Sequence, residues 1–246
     1  MKITLNEVIK KSNEVFKAIF PKVAVFYLLL GVLPNALVQL YMMKDNPNPL
    51  FLIMAGLIGF AVFIAMVIYV KAFFEGNGIS ATAVLSEVKN CIWPCLSSIV
   101  ALIGGICVAA GIVCPIIVAL TIPLMIGLQT SQAQWAYPSM AGIIIVLLCC
   151  CYLTVRIIFF LNFAIVEKAR WFAPLKKSWQ ITKGHFWKLV LIILILSCFN
   201  LPVSLSLSLA PRFPLAFVII YLCLMPVHLY VFSIFQTLFF KLYYDK

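Results

Sequence analysis

Residues 166–189 read VEKARWFAPLKKSWQITKGHFWKL, the one long polar and basic interval between apolar runs. Within it Phe172, Leu175, Trp179, Thr182 and Phe186 recur every three or four residues, the step that lines one face of an α-helix. Lys176, Lys177, Gln180 and Lys183 fall on the other face. Pro174 fits a first helical turn, where its missing N–H costs nothing. Gly184 fits a left-handed C-terminal cap. The pattern predicts a short amphipathic helix over 174–183, lying in a membrane interface. Its aromatics sit among acyl chains and its lysines in water or against anionic headgroups. A solvated basic loop would explain the charge but not the apolar stripe.

The composition around this stretch names the solvent. The 246 residues are 65% hydrophobic and 10% charged, where a soluble domain carries about a quarter charged residues. No soluble fold hides that much apolar surface, so the chain is read as an all-α polytopic membrane protein forming a single transmembrane domain. The net charge of +11 does not point to nucleic acid, because the lysines flank apolar spans and no basic domain exists to hold a duplex. It sets topology and attracts anionic lipid instead.

Working outward, Thr4-Leu5-Asn6-Glu7 reads as a capping box. Leu5, Val8, Val15, Ile19 and Phe20 then form an apolar stripe, a first interfacial helix over 5–20 ended by Pro21-Lys22. Met1–Lys22 is polar and amphipathic and reads as no signal peptide. A second, weaker amphipathic helix covers 81–88, with Ser80 as its N-cap. Apolar spans are expected at 23–43, 50–70, 92–128, 141–166, 189–209 and 215–240, each long enough for about 30 Å of hydrocarbon. Residues 92–128 are too long for one straight crossing and hold Pro94, Pro115 and Pro123. They fit one broken span, one span plus a re-entrant piece, or two short spans. The interval 129–140 carries no charge and so fits the outer side, which favours one long, broken span.

Six spans put both termini on one side. With that side cytoplasmic, the basic residues of the N-terminal helix, Lys71, Lys89, the 166–189 stretch and the C-terminal tail all lie inside. Only Lys44 and Arg212 lie outside, and the bias favours this orientation.

The chain also matches itself. Ile9-Lys10-Lys11-Ser12 aligns with Leu175-Lys176-Lys177-Ser178, Lys17 with Lys183, Phe20 with Phe186, and Lys22 with Lys188. An amphipathic helix followed by two spans is thus expected three times, over 1–72, 79–166 and 167–246. Glu167-Lys168, Phe172-Ala173, Leu175-Lys176, Ser178-Trp179 and Ile181-Thr182 resemble the signature of the YciC-like bacterial inner-membrane proteins. That family is related to the membrane domain fused to some glycerophosphodiester phosphodiesterases. The resemblance implies a six-helix bacterial inner-membrane protein without an assigned catalytic activity. The sequence differs from the fused form in holding no phosphodiesterase domain.

Few residues could carry chemistry. Arg156 is the one charge deep in a span, about ten residues or roughly 15 Å from its cytoplasmic end. A charge there should face the bundle interior or water. Its partners would be Asn35, Gln39, Asn162, Gln236, backbone carbonyls or a lipid phosphate. A headgroup contact, a structural arginine and a snorkelling arginine all remain open. His185 and His228 have no ligand-spaced carboxylate or cysteine nearby. The nine cysteines lie in or beside apolar runs and act as small hydrophobes. No paired carboxylate, phosphate loop or metal motif is present, so neither a catalytic site nor a cofactor is expected. Ser204, Ser206 and Ser208 suggest close helix packing.

The leading expectation is a non-enzymatic protein that organises or senses lipid. Lys10, Lys11, Lys176, Lys177 and Lys183 would contact headgroups. Trp179 and Trp187 would anchor the interface, and Arg156, Asn35 and Gln39 would form the intramembrane polar set. A transporter of small solutes or lipid, or the membrane subunit of one, is the alternative, favoured by Pro34, Pro115, Pro123 and Arg156.

Overall fold

A computed structural model describes residues 5–27, 49–129, 133–209, 219–220 and 223–244. The described residues form helices and their connections, with no strand. In chain order the helices are α1 (Leu5–Tyr27), α2 (Pro49–Phe74), α3 (Ala81–Gln129) and α4 (Ala133–Ile157). They continue as α5 (Phe160–Val166), α6 (Ala173–Thr182), α7 (Phe186–Leu209) and α8 (Met225–Tyr244). Among the described residues, four stretches are long and apolar enough to cross a membrane: Ile53–Phe74, Ala81–Pro123, Tyr137–Val166 and Met225–Tyr244. Most of the span expected at 23–43, with Asn35 and Gln39, lies outside the described residues, as does the turn at 210–214.

The chain divides into two compact units. Unit one holds Met1–Trp93, Ile165–Lys168 and Val190–Lys246. Here α1 packs on α8 and α2, and α8 on α2. The α1 stripe is buried through Val8, Ser12, Val15 and Ile19, against a core that includes Ile64 and Val67 of α2 and Phe239 and Phe240 of α8. The expected interfacial stripe is therefore spent on protein packing. It also outruns its expected end, because α1 continues through Pro21 to Tyr27. Pro21 and Lys17, whose carbonyl loses its partner to the proline ring, are both on the exposed side. That spares the packed face. Glu7 accepts from Lys241 Nζ at 2.6 Å, which engages its carboxylate with α8, while Thr4 of the expected capping box lies outside the described residues.

Ser80 caps α3 as expected, its Oγ accepting from the Ala83 N–H at 3.3 Å. The helix over 81–88 is not separate. α3 runs unbroken to Gln129 with Pro94, Pro115 and Pro123 inside it, and the break expected there does not occur. Apolar surroundings tolerate proline in a helix because neighbouring hydroxyls and local adjustments satisfy the freed groups. Past Pro94 the Ser97 and Ser98 hydroxyls both donate to the proline's own carbonyl, at 2.9 and 2.8 Å, a group that the missing N–H does not free. The uncharged interval 129–140 is likewise helical from Ala133 on.

Unit two holds Pro94–Ala164 and Ala169–Leu189. Gly142 of α4 meets Leu120 of α3 so closely that a Cβ there would stand 2.8 Å from Leu120 Cδ1. Val100, Ile103, Val108, Ile145, Leu147 and Leu148 are all exposed. A contiguous apolar exterior of this kind marks an interaction site or a membrane surface.

Candidate functional site

The helix expected over 141–166 does break, at Ile158-Phe159, where no proline or glycine stands. α6 fills the gap. The Phe159 N–H donates to Ser178 Oγ at 3.2 Å, and the Ser178 hydroxyl donates to the Arg156 carbonyl at 2.9 Å. One buried hydroxyl thereby closes both ends of the interruption, leaving neither backbone group orphaned. Thr182 Oγ1 also approaches the Arg156 carbonyl, at 3.5 Å, and donates to the Ser178 carbonyl at 2.9 Å.

This docking decides which face of α6 is inward. Pro174, Ser178, Ile181 and Thr182 are buried. Of the expected apolar stripe, Thr182 is inside while Phe172 and Trp179 stay exposed. The expected boundaries shift by one residue. Pro174 stands in the first turn, and Gly184 takes φ +84°, as its place after the helix end requires. Trp171 and Lys168, in the loop before α6, also adopt positive φ, 55° and 53°. Such values are costly for side chains with a Cβ.

Arg156 is in the last turn of α4, where a positive charge is favourable to the helix dipole. Its expected partners Asn35 and Gln39 lie outside the described residues. What holds it is aromatic. Its Nη2 donates to Tyr152 Oη at 2.9 Å. Its Cζ stands 4.9 Å from the Tyr152 ring centroid and 5.3 Å from that of Trp179. The two rings meet edge to face at 5.9 Å. Arg156 is 9% exposed, and among the described residues its buried Nε and Nη1 have no hydrogen-bond partner.

Beside this cluster, an open groove of about 880 Å³ runs between α3, α4 and α6, within the roughly 300–1,000 Å³ common for small-molecule sites. Its walls include Leu102, Ile106, Val113 and Leu153, and α6 contributes Leu175, Lys176, Trp179 and Gln180. Thr154 borders it, but its hydroxyl is spent on the Cys150 carbonyl at 2.9 Å.

The structure thus brings together Lys176, Trp179 and Arg156 from the expected set. Lys183 is exposed, and Lys177 is half-buried with a partner of its own. Trp187 is 80% exposed, and its ring packs edge to face on Phe186 at 5.2 Å. In unit one, Lys10 is exposed. Lys11 pairs with Glu14 at 2.9 Å and lies over the Phe73 and Phe74 rings at 5.2 and 5.9 Å, so this expected headgroup lysine already has protein partners. The Lys11 hydrogen bond and charge hold the Glu14 carboxyl below its ordinary range.

The sequence does not mark Tyr152, Ser178 or Gln180 as site residues, nor Gly105, which lines the groove from α3. Tyr152 could have been found, since position i−4 on a helix stands over Arg156. Among the described residues, no group of three or more His, Cys, Asp or Glu is placed to hold a metal ion.

Fold and site together define an all-helical chain whose apolar helices have membrane-spanning length and whose cationic cluster borders an apolar groove. Compared with family models, curated proteins and solved structures, the chain matches none of them.

Proposed function

We propose that this is a non-enzymatic, multi-pass inner-membrane protein that binds anionic lipid and contributes to membrane organisation or lipid homeostasis. The observation that carries the reading is the groove of unit two. Its lining is mostly apolar but includes Lys176 and Gln180, and Trp179 of the same lining stands over the buried charge of Arg156. An apolar trough with a lysine in its lining suits an amphiphile with a negative headgroup. The reading keeps six spans, both termini in the cytoplasm, and the threefold unit of an amphipathic helix with two spans. It is also the kind of inner-membrane protein that the 167–182 motif resembles.

The test is native mass spectrometry of the detergent-extracted protein. Anionic lipid should co-purify in excess over its share of the source membrane, and the K176E variant should carry less. A chain that retains no lipid, or retains zwitterionic lipid as readily, overturns the reading. A periplasmic reporter fused near Trp179 should be inactive if this segment is cytoplasmic.

A transporter is the second reading, favoured by the discontinuity between α4 and α5, since interrupted helices often build transport sites. The interruption is filled by Ser178, and the adjoining groove is apolar. Both facts suit a lipid better than a small polar solute.

A further inference from the structure

We infer that the groove of unit two holds one acyl chain of an anionic phospholipid, that Arg156 receives its phosphate, and that Trp179 is the movable cover between the two. This rests on the lipid-binding reading above and adds the ligand's pose and the side chain that selects it.

The groove has the length for it. Its α3 wall runs from Ala101 to Cys114, about 20 Å at the helical rise. One leaflet of hydrocarbon is roughly 15 Å deep, half of about 30 Å. On the α3 and α4 walls the one hydroxyl, that of Thr154, is already bonded to the Cys150 carbonyl.

Arg156 is at the right depth. Its carbonyl is bonded to Ser178 of α6, a helix whose exposed side carries Lys176 and Trp179 together. Such a helix lies at the headgroup level. The docking therefore brings the interface to Arg156, which counting along the sequence had put well inside the hydrocarbon.

The guanidinium also lacks what a phosphate supplies. Tyr152 takes one N–H, and the two rings orient the plane. Nε and Nη1 remain buried without acceptors among the described residues. Buried donors are almost always satisfied, and an exception points to an unseen partner. Phosphate oxygens meet arginine in short, charge-assisted bonds. Trp179 both lines the groove and covers Arg156. It is 38% exposed, so this cover is not packed in on every side.

The experiment titrates the purified, delipidated protein with phosphatidylglycerol, phosphatidylcholine or inorganic phosphate, read by native mass spectrometry. Phosphatidylglycerol should bind about tenfold more tightly than phosphatidylcholine, and R156Q should erase that difference. R156K keeps the charge but not the planar fork and should fall between. G105L guards against misfolding of the arginine variants. A Cβ at Gly105 would meet nothing within 4 Å, and Gly105 lines the groove. G105L should lower phosphatidylglycerol binding while the melting temperature holds. G104L, beside the groove but not lining it, should bind like wild type.

If wild type prefers phosphatidylglycerol but R156Q and G105L do so equally, this inference falls while the lipid-binding reading stands. If wild type shows no preference, both fall. Inorganic phosphate that displaces the lipid as well as phosphatidylglycerol itself does would overturn the acyl-chain part, because the site would then be one for a free anion.

Discussion

The hydroxyl of Ser178 donates to the carbonyl of Arg156 at 2.9 Å, across 22 residues of sequence. The same oxygen accepts from the Phe159 N–H, so α6 is fastened to the one interruption in the 133–166 helical stretch. The consequences for stability are distinct from those at the serine that aligns with it, Ser12. Ser12 is equally buried but donates to Val8 of its own helix at 2.6 Å.

S178A should therefore cost about 1–3 kcal/mol, because two buried backbone groups lose their partner. S12A should change stability by roughly 0.5 kcal/mol or less, since back-bonding to the i−4 carbonyl adds little to a helix. Thermal unfolding of both variants in the same detergent checks the contrast. Equal effects would mean that Ser178 does not fasten α6.

The glycines of unit two divide by what surrounds them. At Gly142, Leu120 stands in the way of any side chain, so G142L should destabilise by about 1–3 kcal/mol through overpacking. L120A in the same chain should relieve it. Gly111 has open space, and G111A should stabilise by up to about 1 kcal/mol from helix propensity. A double-mutant cycle on melting temperature reads the Gly142–Leu120 coupling.

Gly184 holds the turn that ends α6 at φ +84°. G184A should cost on the order of 1 kcal/mol, and G184N less, because asparagine tolerates the left-handed region better than alanine. If alanine proves neutral, the turn relaxes without penalty and the cap is not a constraint on α6.

In unit one, Lys241 and Glu7 join α8 to α1 at 2.6 Å, with side chains 21% and 57% exposed. A partly exposed pair is screened by solvent, so its double-mutant coupling should be about 1 kcal/mol or less and shrink with added salt. A large, salt-insensitive coupling would show that the pair is shielded, as by surrounding lipid headgroups.

Some of this was legible in the residues alone. Composition made lipid the solvent, because too few polar side chains exist to cover the apolar ones. Spacing of three and four placed α6 to within a residue, and Pro174, Gly184 and Ser80 marked helix ends. These features are local, fixed by backbone sterics and by hydrogen bonds within one turn.

Only the tertiary structure decided the rest. Periodicity sorts side chains by polarity and cannot say which polar group has a use inside. Periodicity puts Thr182 on the lipid-facing stripe and gives Ser178 no role, until a broken backbone some twenty positions upstream supplies acceptors and a donor for them. The same docking sets where Arg156 stands and gives it Trp179. The prolines of α3 misled for a different reason: a missing N–H need not interrupt a helix in apolar surroundings, and in α3 the helix runs on.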